Sequence, residues 1–513
     1  MKKQARCIMI QGTASAVGKS LITAGLCRIF KQDGYRVAPF KSQNMALNSF
    51  ITADGAEMGR AQVVQAEAAG REPDVRMNPI LLKPTTDQCA QVIVGGKVYG
   101  NMSAVEYHEF KPQLAGMVTE IYMSLAAEND ILVIEGAGSP AEINLRDKDI
   151  VNMGMAALVD APVLLVGDID KGGVFASLAG TMLLLTEAER RRVQGVIINK
   201  FRGDRAILEP GIAMLEEIIK RPVLGVVPYT KLDIDDEDSL TERFAKQSKK
   251  DAVIDVAVVK LPHLSNFTDF NSLDNIPGVQ VRYVEDCRRF GAPDLIILPG
   301  TKNTLEDLEQ IQRTGLVELI LEQHRQGTAV CGICGGYQML GREVRDPHGV
   351  ESARPRGREA VAGLGLLNAV TVLQKEKMTT QAQGTVCGAP GLLAGLQDAP
   401  VTGYEIHMGT TEWGGDCIPF VRLTAGEPGS GGVCNAAGNV FGTYLHGIFD
   451  NPEFALGLIN NLRRQKGLAP LAVTAASFSQ YKEKQYDTLA GIIRQHVAVD
   501  RIYRIMNDWG AGK

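Results

Sequence analysis

Residues 12–20 read Gly12-Thr13-Ala14-Ser15-Ala16-Val17-Gly18-Lys19-Ser20, and this stretch indicates what kind of domain the first half of the chain forms. An apolar run, 7–10, precedes it, and a helix-like segment, 21–30, follows it. Strand, glycine-bearing loop and helix are the context of a P-loop, because backbone N–H groups and a helix N-terminus must converge on phosphate. Lys19 is then expected to neutralise β- and γ-phosphate oxygens, and Ser20 to hold Mg²⁺. Gly12 lies one residue earlier than the standard spacing requires, so the motif is a longer variant, with a plain glycine turn as the alternative.

Further apolar runs rich in Val and Ile alternate with helix-like segments. In the first half they are residues 7–10, 36–40, 131–134, 162–166, 195–198 and 223–227. Unalternated runs of this kind are typical of strands covered on both faces, as in a parallel α/β sheet. We therefore predict a doubly wound parallel sheet in a first domain, 1–229.

A polar stretch, 230–251, interrupts this pattern and is predicted to be a linker. Beyond it the second domain, 252–513, is again predicted to be α/β. Its strand-like runs are residues 254–259, 279–284, 295–298, 328–330 and 440–443. The weakly patterned region from 354 to 432 is expected to form long active-site loops or short antiparallel pieces. The tail, 477–506, is expected to be helical and is grouped with the second domain.

Composition limits the class of protein. The chain has 513 residues, 45% of them hydrophobic, a formal net charge of −5 and nine cysteines. No overall basic field exists to hold nucleic acid or anionic lipid, so neither is expected as a partner. Sparse cysteines in odd number, and no apolar stretch of membrane-spanning length, favour a soluble cytoplasmic protein. The sequence leaves open whether the chain forms a homo-oligomer.

Two carboxylates are candidates to complete a Mg²⁺ site, since Mg²⁺ takes oxygen ligands and is usually shared between the nucleotide and one or two carboxylates. Glu135 follows the apolar run 131–134, so it is placed at the carboxyl end of a strand, where α/β sheets bind ligands. Asp54 lies in Ala53-Asp54-Gly55, where a plain turn residue is the alternative.

The first half resembles dethiobiotin synthetase and its relatives. The resemblance is carried by Gly12-Thr13, Val17-Gly18-Lys19-Ser20, Phe40-Lys41 and Glu135-Gly136-Ala137-Gly138. Those enzymes activate a carboxylate or carbamate as a phosphoryl derivative of ATP, and they use the longer loop spacing. The resemblance implies that Gly12, Thr13, Val17 and Gly18 contact ATP, that Lys41 bridges the phosphoryl group and the substrate carboxylate, and that Asn199 lies near the adenine. A solvated lysine and a strand-end asparagine are the alternatives.

A second chemical motif lies at Gly332-Ile333-Cys334-Gly335-Gly336, between a predicted strand and a predicted helix. Small neighbours permit the strained turn that exposes a nucleophile, and the helix N-terminus favours a thiolate and offers N–H groups, such as that of Gly335, to an oxyanion. Cys334 is therefore preferred to Cys331, which falls on the strand. His446, just after the run 440–443, is the best-placed base. The turn Pro299-Gly300-Thr301-Lys302 is a second candidate oxyanion donor through Thr301.

These pieces resemble class I glutamine amidotransferase domains, which hydrolyse glutamine through a cysteine thioester and release ammonia. Members commonly carry a proline and then a glutamate after the histidine, whereas Gly447-Ile448 follow His446 here. The resemblance therefore implies a nucleophile and a base without the usual third member of the triad, and slow or tightly coupled glutaminase activity.

A fuller resemblance, spanning nearly the whole chain, is to the cobyric acid synthase family of cobalamin biosynthesis. Its blocks include 11–15, 41–49, 59–62, 78–84, 167–175, 298–304 and 403–409. That family uses glutamine and MgATP to amidate the b, d, e and g carboxyls of adenosylcobyrinic acid a,c-diamide, and the only cobalt belongs to this corrinoid substrate. His407, beside Glu405, is expected to have a structural or substrate-contact role. Cobyrinic acid a,c-diamide synthase, a cytidine triphosphate synthase-like amidoligase and a non-catalytic switch ATPase remain the alternatives.

Overall fold

The computed structural model describes residues 5–85, 88–234, 249, 251–351, 359–388, 390–425, 431–472 and 477–511. The predicted linker, 230–251, lies largely outside the described residues, which omit 235–248 and 250. None of the helices in these ranges combines the length and the apolar character needed to cross a lipid bilayer.

The first half of the chain alternates strands and helices. Its strands are β1 (Arg6–Gly12), β2 (Val37–Phe40), β3 (Gln43–Met45), β4 (Ser49–Ile51), β5 (Glu57–Gly59), β6 (Ile80–Pro84), β7 (Cys89–Val94), β8 (Lys97–Ser103), β9 (Ile131–Glu135), β10 (Val163–Asp168), β11 (Val193–Phe201) and β12 (Val223–Pro228). Its helices are α1 (Lys19–Gln32), α2 (Arg60–Ala68), α3 (Ala104–Phe110), α4 (Ala115–Glu128), α5 (Met153–Leu158), α6 (Val174–Leu184), α7 (Glu187–Arg192) and α8 (Arg205–Ile219).

The main sheet of this half has the strand order β12-β11-β10-β1-β9-β2. All neighbours in it are parallel. Each of the six apolar runs identified in the first half corresponds to one of these strands. Alternate strand residues belong to two buried clusters on opposite faces, one shared with α1 and the other with α4, α6 and α8. The structure thus confirms a doubly wound parallel sheet.

Between β2 and β9 the chain adds smaller pieces that the apolar runs did not predict. One is a four-stranded sheet of order β3-β6-β7-β8, and the other is the hairpin β4–β5. Ser49 pairs with Gly59 in this hairpin, and α2 begins at the next residue, Arg60. These pieces extend the first half towards the second.

The second half contains a further set of strands and helices. Its strands are β13 (Ile254–Val259), β14 (Val279–Val284), β15 (Leu295–Leu298), β16 (Ala329–Ile333), β17 (Glu343–Arg345), β18 (Ala360–Ala362), β19 (Ala369–Val386), β20 (Pro400–Trp413), β21 (Cys417–Pro419), β22 (Val421–Ala425), β23 (Val433–Asn435), β24 (Val440–Thr443) and β25 (Leu445–His446). Its helices are α9 (Asn271–Asp274), α10 (Thr304–Arg313), α11 (Leu316–Arg325), α12 (Gly335–Leu340), α13 (Pro452–Gln465), α14 (Ser477–His496) and α15 (Val499–Ala511).

A seven-stranded sheet forms the core of this half, in the order β14-β13-β15-β16-β24-β23-β21. The five strands from β14 to β24 in that order are mutually parallel. β23 pairs antiparallel with β24, and β21 pairs antiparallel with β23. Every strand-like run identified in the second half matches one of the parallel strands. The carboxyl ends of β13, β15, β16 and β24 therefore meet at one edge.

The region predicted to form loops or short antiparallel pieces differs from that expectation. β19 has 18 residues and β20 has 14, and the two pair antiparallel in a third sheet of order β18-β17-β19-β20-β25. Polar residues in the middle of β19, such as Lys377 and Gln381, contact the first half of the chain. Because these contacts bury polar rather than apolar side chains, the strand has no clear apolar period.

The C-terminal tail is helical as predicted but packs on the first sheet, not on the second domain with which it was grouped. Ile493 and Ile502 belong to the same buried cluster as Ile8 and Ile29. Polar contacts also hold the tail to α1: the Arg28 Nε donates to the Asp487 carboxylate at 2.8 Å. The tail covers part of a sheet face that α1 alone leaves open. No local sequence signal indicates that the C-terminal tail packs on the N-terminal sheet.

Candidate active site

Two glycines let the loop between β1 and α1 close on itself. A Cβ at Gly12 would lie 2.6 Å from Val17 Cγ2, inside the loop. Gly18 has φ +95°, and a Cβ there would lie 2.1 Å from Asn199 Nδ2 on β11. L-residues rarely adopt such a φ, so both the conformation and the close contact require glycine. The loop is therefore the compact cradle expected from residues 12–20.

Lys19 and Ser20 connect this loop to the end of β9. The buried Lys19 Nζ donates to the carbonyl oxygens of Ala14, at 2.9 Å, and Gly138, at 3.0 Å. The Ser20 Oγ donates to Glu135 Oε1 at 2.8 Å. An ammonium group and a hydroxyl thus stand where a P-loop presents them to phosphate and to a metal ion.

Glu135 is the centre of this first site. Its carboxylate forms a buried ion pair with Lys41 Nζ at 2.9 Å and accepts a hydrogen bond from Gln65 Nε2 at 2.5 Å. Glu135 is 1% exposed and Lys41 is 3% exposed, so each charge depends on the other for compensation. The structure therefore brings together Lys19, Ser20, Lys41 and Glu135. Gln65, on α2, was missed because a glutamine within a helix carries no motif.

Two other predicted residues lie in different settings. Asp54 is exposed in the β4–β5 turn and accepts a hydrogen bond from Thr52 Oγ1; among the described residues, no hydrogen bond or ion pair joins it to Ser20 or Glu135. The structure thus favours the turn alternative for Asp54. The Asn199 Nδ2 donates to the Val17 carbonyl oxygen at 2.8 Å, so this side chain braces the phosphate loop from the end of β11.

The second site is built on a strained turn at Cys334, between β16 and α12. Cys334 has φ +50° and ψ −110°, a conformation that non-glycine residues rarely adopt and that is typical of functional sites. A Cβ at Gly332 would lie 2.6 Å from the Gly336 oxygen, and one at Gly336 would lie 1.9 Å from the Leu298 oxygen. The small residues of the motif are therefore required by close backbone contact. Cys331 lies fully buried in β16, where burial raises the pKa of its thiol.

His446 lies against Cys334 because β16 and β24 are neighbours. The Cys334 amide donates to the Thr443 oxygen at 2.8 Å, three residues before His446. The Cys334 side chain lies close enough to His446 to help raise the pKa of the imidazole. The structure thus unites the predicted nucleophile and base.

A carboxylate orients His446, although the sequence has no glutamate in the positions just after this histidine. Asp269 Oδ2 lies 2.7 Å from His446 Nδ1, and its Oδ1 accepts a hydrogen bond from the Gly447 amide at 3.1 Å. Burial acts to lower the pKa of His446, but the Asp269 carboxylate, helped by Cys334, raises that pKa to about 10. The expectation of an unoriented imidazole was wrong. An acid soon after the carboxyl end of the strand at 254–259 was the signal that could have found it.

The two predicted oxyanion segments meet beside these residues. A Cβ at Gly335 would lie 2.7 Å from Thr301 Cγ2 and 3.2 Å from the Thr301 amide nitrogen. A Cβ at the adjacent Gly300 would lie 3.1 Å from His446 Cε1. The turn after β15 therefore lines one wall of the cysteine site, within reach of an oxygen held there.

His407 lies near this site, in the strand that pairs with β25. Its ring stacks on Tyr444 with centroids 3.8 Å apart, and its Nδ1 contacts the Gly409 oxygen at 2.9 Å. Burial lowers the pKa of His407 to about 4, so the ring is neutral at physiological pH. The contacts support a structural role.

Comparison with known proteins covers both halves. Residues 8–240 match the CobQ/CobB/MinD/ParA nucleotide binding domain, and residues 255–454 match the CobB/CobQ-like glutamine amidotransferase domain. A "Cobyric acid synthase" of Alkaliphilus metalliredigens is 55% identical over 97% of this chain and 99% of its own length. Proteins of the same name from Yersinia enterocolitica and Streptococcus sanguinis are 54% and 55% identical, over 97% and 98% of this chain and 98% and 99% of their own lengths.

Proposed function

Because the chain belongs to the cobyric acid synthase family, we propose that its cysteine site frees ammonia from glutamine and its phosphate site uses that ammonia to amidate corrinoid carboxylates. The chain is a glutamine-dependent amide-forming ligase with a nucleotide-binding half. The proposed acceptors are the b, d, e and g carboxyls of adenosylcobyrinic acid a,c-diamide, and the product is adenosylcobyric acid. One observation carries the proposal: a buried Cys334–His446–Asp269 set occurs in the same chain as the phosphate loop.

In the glutaminase step the Cys334 sulfur attacks the side-chain carbonyl carbon of glutamine. The resulting oxyanion is stabilised by N–H groups near Gly335 and Thr301. The C–N bond then breaks, and ammonia leaves with a proton from His446, which the raised pKa keeps available. Water attacks the thioester, a proton returns to His446, and glutamate is released. Asp269 holds the ring in orientation throughout.

In the synthetase step a carboxylate oxygen of the acceptor attacks the γ-phosphorus of ATP, and ADP leaves. Lys19 and Lys41 stabilise the negative charge on the transferred phosphoryl group. Ammonia attacks the acyl carbon of the acyl phosphate, the C–O bond to phosphate breaks, and the amide forms after loss of a proton.

Ser20 and Glu135 suit Mg²⁺, because a hydroxyl and a carboxylate are oxygen ligands and lie 2.8 Å apart beside the loop. Bound Mg²⁺ supplies positive charge that neutralises nucleotide oxygens. We assign this ATP-dependent half to residues 1–229 together with the tail that packs on it, and the glutaminase half to the chain from 252 onward. We also place the enzyme in the cytoplasm, since an odd number of cysteines spread along the chain suits a reducing compartment.

The proposal is tested by incubating the purified protein with MgATP, glutamine and adenosylcobyrinic acid a,c-diamide. Mass spectrometry should detect stepwise conversion of four carboxyls to amides. If this acceptor gives no such series, amidation of cobyrinic acid or amination of a pyrimidine nucleotide would move the assignment to one of the alternative enzymes.

Paired cysteine variants test the glutaminase half. Cys334→Ala should lose glutamine-dependent synthesis by about 10³-fold or more and keep synthesis from ammonium. Cys331→Ala is the matched control, because this buried thiol lies within β16, three residues before Cys334, and its loss should leave both activities in place. Glutamine use that survives in Cys334→Ala would defeat the assigned nucleophile.

A further inference from the structure

We infer that ammonia passes from the cysteine site to the phosphate site along a buried row of side-chain amides, those of Asn48, Gln62 and Gln65. The inference rests on the proposed function and adds a route to it. All three residues come from the first half of the chain and are at most 1% exposed, so the row is shut off from bulk solvent.

The row begins where the β4–β5 hairpin enters the wall of the cysteine site. The Asn266 Nδ2 lies 3.5 Å from His446 Nδ1 and also 3.5 Å from His446 Nε2. The Asn266 Oδ1 accepts a hydrogen bond from the Ser49 amide at 2.9 Å, and the next side chain, Asn48, accepts one from the Phe267 amide at 3.3 Å. Asn48 thus lies one residue from the contact that reaches the catalytic histidine.

The middle of the row crosses the start of α2. The Arg60 amide, at the first residue of α2, donates to the Asn48 carbonyl oxygen at 3.2 Å. Next to it, a Cβ at Gly59 would lie 2.8 Å from Gln62 Oε1 and 2.8 Å from Asn44 Nδ2. Glycine at this position therefore allows the hairpin backbone to lie directly against the amide of Gln62.

The row ends at the phosphate site. Gln62 and Gln65 are three residues apart on α2, so their side chains share one face of the helix. The Gln65 Nε2 donates to Glu135 Oε2, whose partner oxygen Oε1 accepts from Lys41 and Ser20. The last amide of the row thus touches the carboxylate around which the ATP-dependent chemistry is arranged.

Each amide of the row has unused hydrogen-bonding capacity. The Nδ2 of Asn48, the Nε2 of Gln62 and the Oε1 of Gln65 are buried and have no hydrogen-bond partner among the described residues. Leaving buried polar atoms unpaired costs free energy, so several in succession between two active sites call for an explanation. Ammonia fits them: its lone pair accepts from an amide N–H, and its own N–H groups donate to an amide oxygen.

The orientation of each amide is set by a contact that rotation would break. The Asn48 Oδ1 must face the Phe267 amide, which can only donate. The Asn44 Oδ1 accepts from the Met45 amide, so its Nδ2 donates to Gln62 and the Gln62 Nε2 stays unpaired. The Gln65 Nε2 faces a carboxylate. Rotating any of these side-chain amides by half a turn, which exchanges its nitrogen and oxygen, would therefore break an existing hydrogen bond rather than pair the unpaired atoms.

The row also selects the reactive form of the nitrogen. The three amides are neutral and supply no proton donor acidic enough to convert ammonia to ammonium. An ammonium ion moving between these neutral amides would be a buried charge, which is costly to remove from water, whereas neutral ammonia carries no such cost. The route therefore delivers ammonia as a nucleophile.

Gln62→Met tests the row, because methionine has a similar length and removes both amide atoms. Asn48→Leu is a second variant in the same row. Asn129→Leu is the matched control: Asn129 is also buried with an unpaired Oδ1, but it caps α4 by donating to the Leu125 oxygen, away from the row. Each protein is assayed with MgATP, corrinoid acceptor, unlabelled glutamine and nitrogen-15 ammonium chloride.

Wild type and Asn129→Leu should release about one glutamate per amide and place unlabelled nitrogen in the product. Gln62→Met and Asn48→Leu should still hydrolyse glutamine and still use ammonium, but glutamate released per amide should rise about fivefold or more, and nitrogen-15 should enter the product. The row is overturned if either folded variant, active with ammonium, keeps the wild-type ratio and unlabelled product. A wild type that forms no amide from either nitrogen source overturns the proposed function and this inference together.

Discussion

Replacing Asp269 with asparagine should separate orientation of the histidine from the rest of the glutaminase chemistry. Asparagine has nearly the same volume, and its oxygen can still accept from the Gly447 amide. Its amide nitrogen would then face His446 Nδ1, where the wild type has a carboxylate oxygen at 2.7 Å. The ring loses the anion that keeps a proton on Nδ1, and with it the tautomer that aims Nε2 at Cys334.

The size of the effect follows from the buried contact. A hydrogen bond to a charged group contributes roughly 1.5–3 kcal/mol. Because about 1.4 kcal/mol corresponds to a factor of ten, kcat/KM for glutamine should fall about 10-fold to 150-fold.

The pH profile should shift in a defined direction. In the wild type the Asp269 carboxylate outweighs burial and raises the pKa of His446 to about 10, so the imidazolium persists up to that pH. In Asp269→Asn the lowering effect of burial remains without the anion, so the pKa of His446 falls. The imidazolium that protonates departing ammonia is then lost at lower pH, and the alkaline limb of glutamate release should move to lower pH.

The assay is the initial rate of glutamate release across the pH range, with ammonium-dependent synthesis measured in parallel. Asp255→Asn is the matched control. Asp255 pairs with Arg282 at 2.8 Å and lies at the amino end of β13, whereas His446 lies at the carboxyl ends of the parallel strands. Unchanged kcat/KM and an unchanged pH profile in Asp269→Asn would refute the role of Asp269. An equal loss of ammonium-dependent synthesis would indicate unfolding rather than loss of orientation.

Three further substitutions test the first sheet, its phosphate site and the tail that packs on it. Lys41→Met should lower amide formation from either nitrogen source by about 10²-fold or more, because the buried cation beside Glu135 is lost; normal product yield by mass spectrometry would contradict its role. Gly18→Ala should weaken nucleotide binding in calorimetry by about tenfold or more, since strain at φ +95° costs on the order of 1–3 kcal/mol and the new Cβ meets Asn199; unchanged affinity would show that the loop adapts. Ile493→Ala should lower the free energy of unfolding by about 2–4 kcal/mol in urea denaturation while the glutaminase kcat stays constant, and an unchanged midpoint would mean that the tail does not stabilise the first sheet.

Local patterns were sufficient for the six strands of the first parallel sheet and for the five parallel strands from β14 to β24 in the second. A strand buried on both faces requires a short apolar run whatever its neighbours are, so each predicted run corresponds to a strand. The phosphate loop and the Cys334 turn were equally visible, because Gly12 and Gly332 are required by contacts within five residues and Gly18 by a positive φ. Sequence resemblance added the family and its reaction.

Contacts between distant parts of the chain depended on the tertiary structure. Asp269 and His446 are 177 residues apart and meet because they follow β13 and β24, two strands of one parallel sheet whose carboxyl ends lie at the same edge. The tail covers the first sheet although it follows the second domain in the chain, and Gln65 reaches Glu135 from the middle of a helix. Strand order and helix docking are set by the packing of whole surfaces, and no short stretch of residues encodes them.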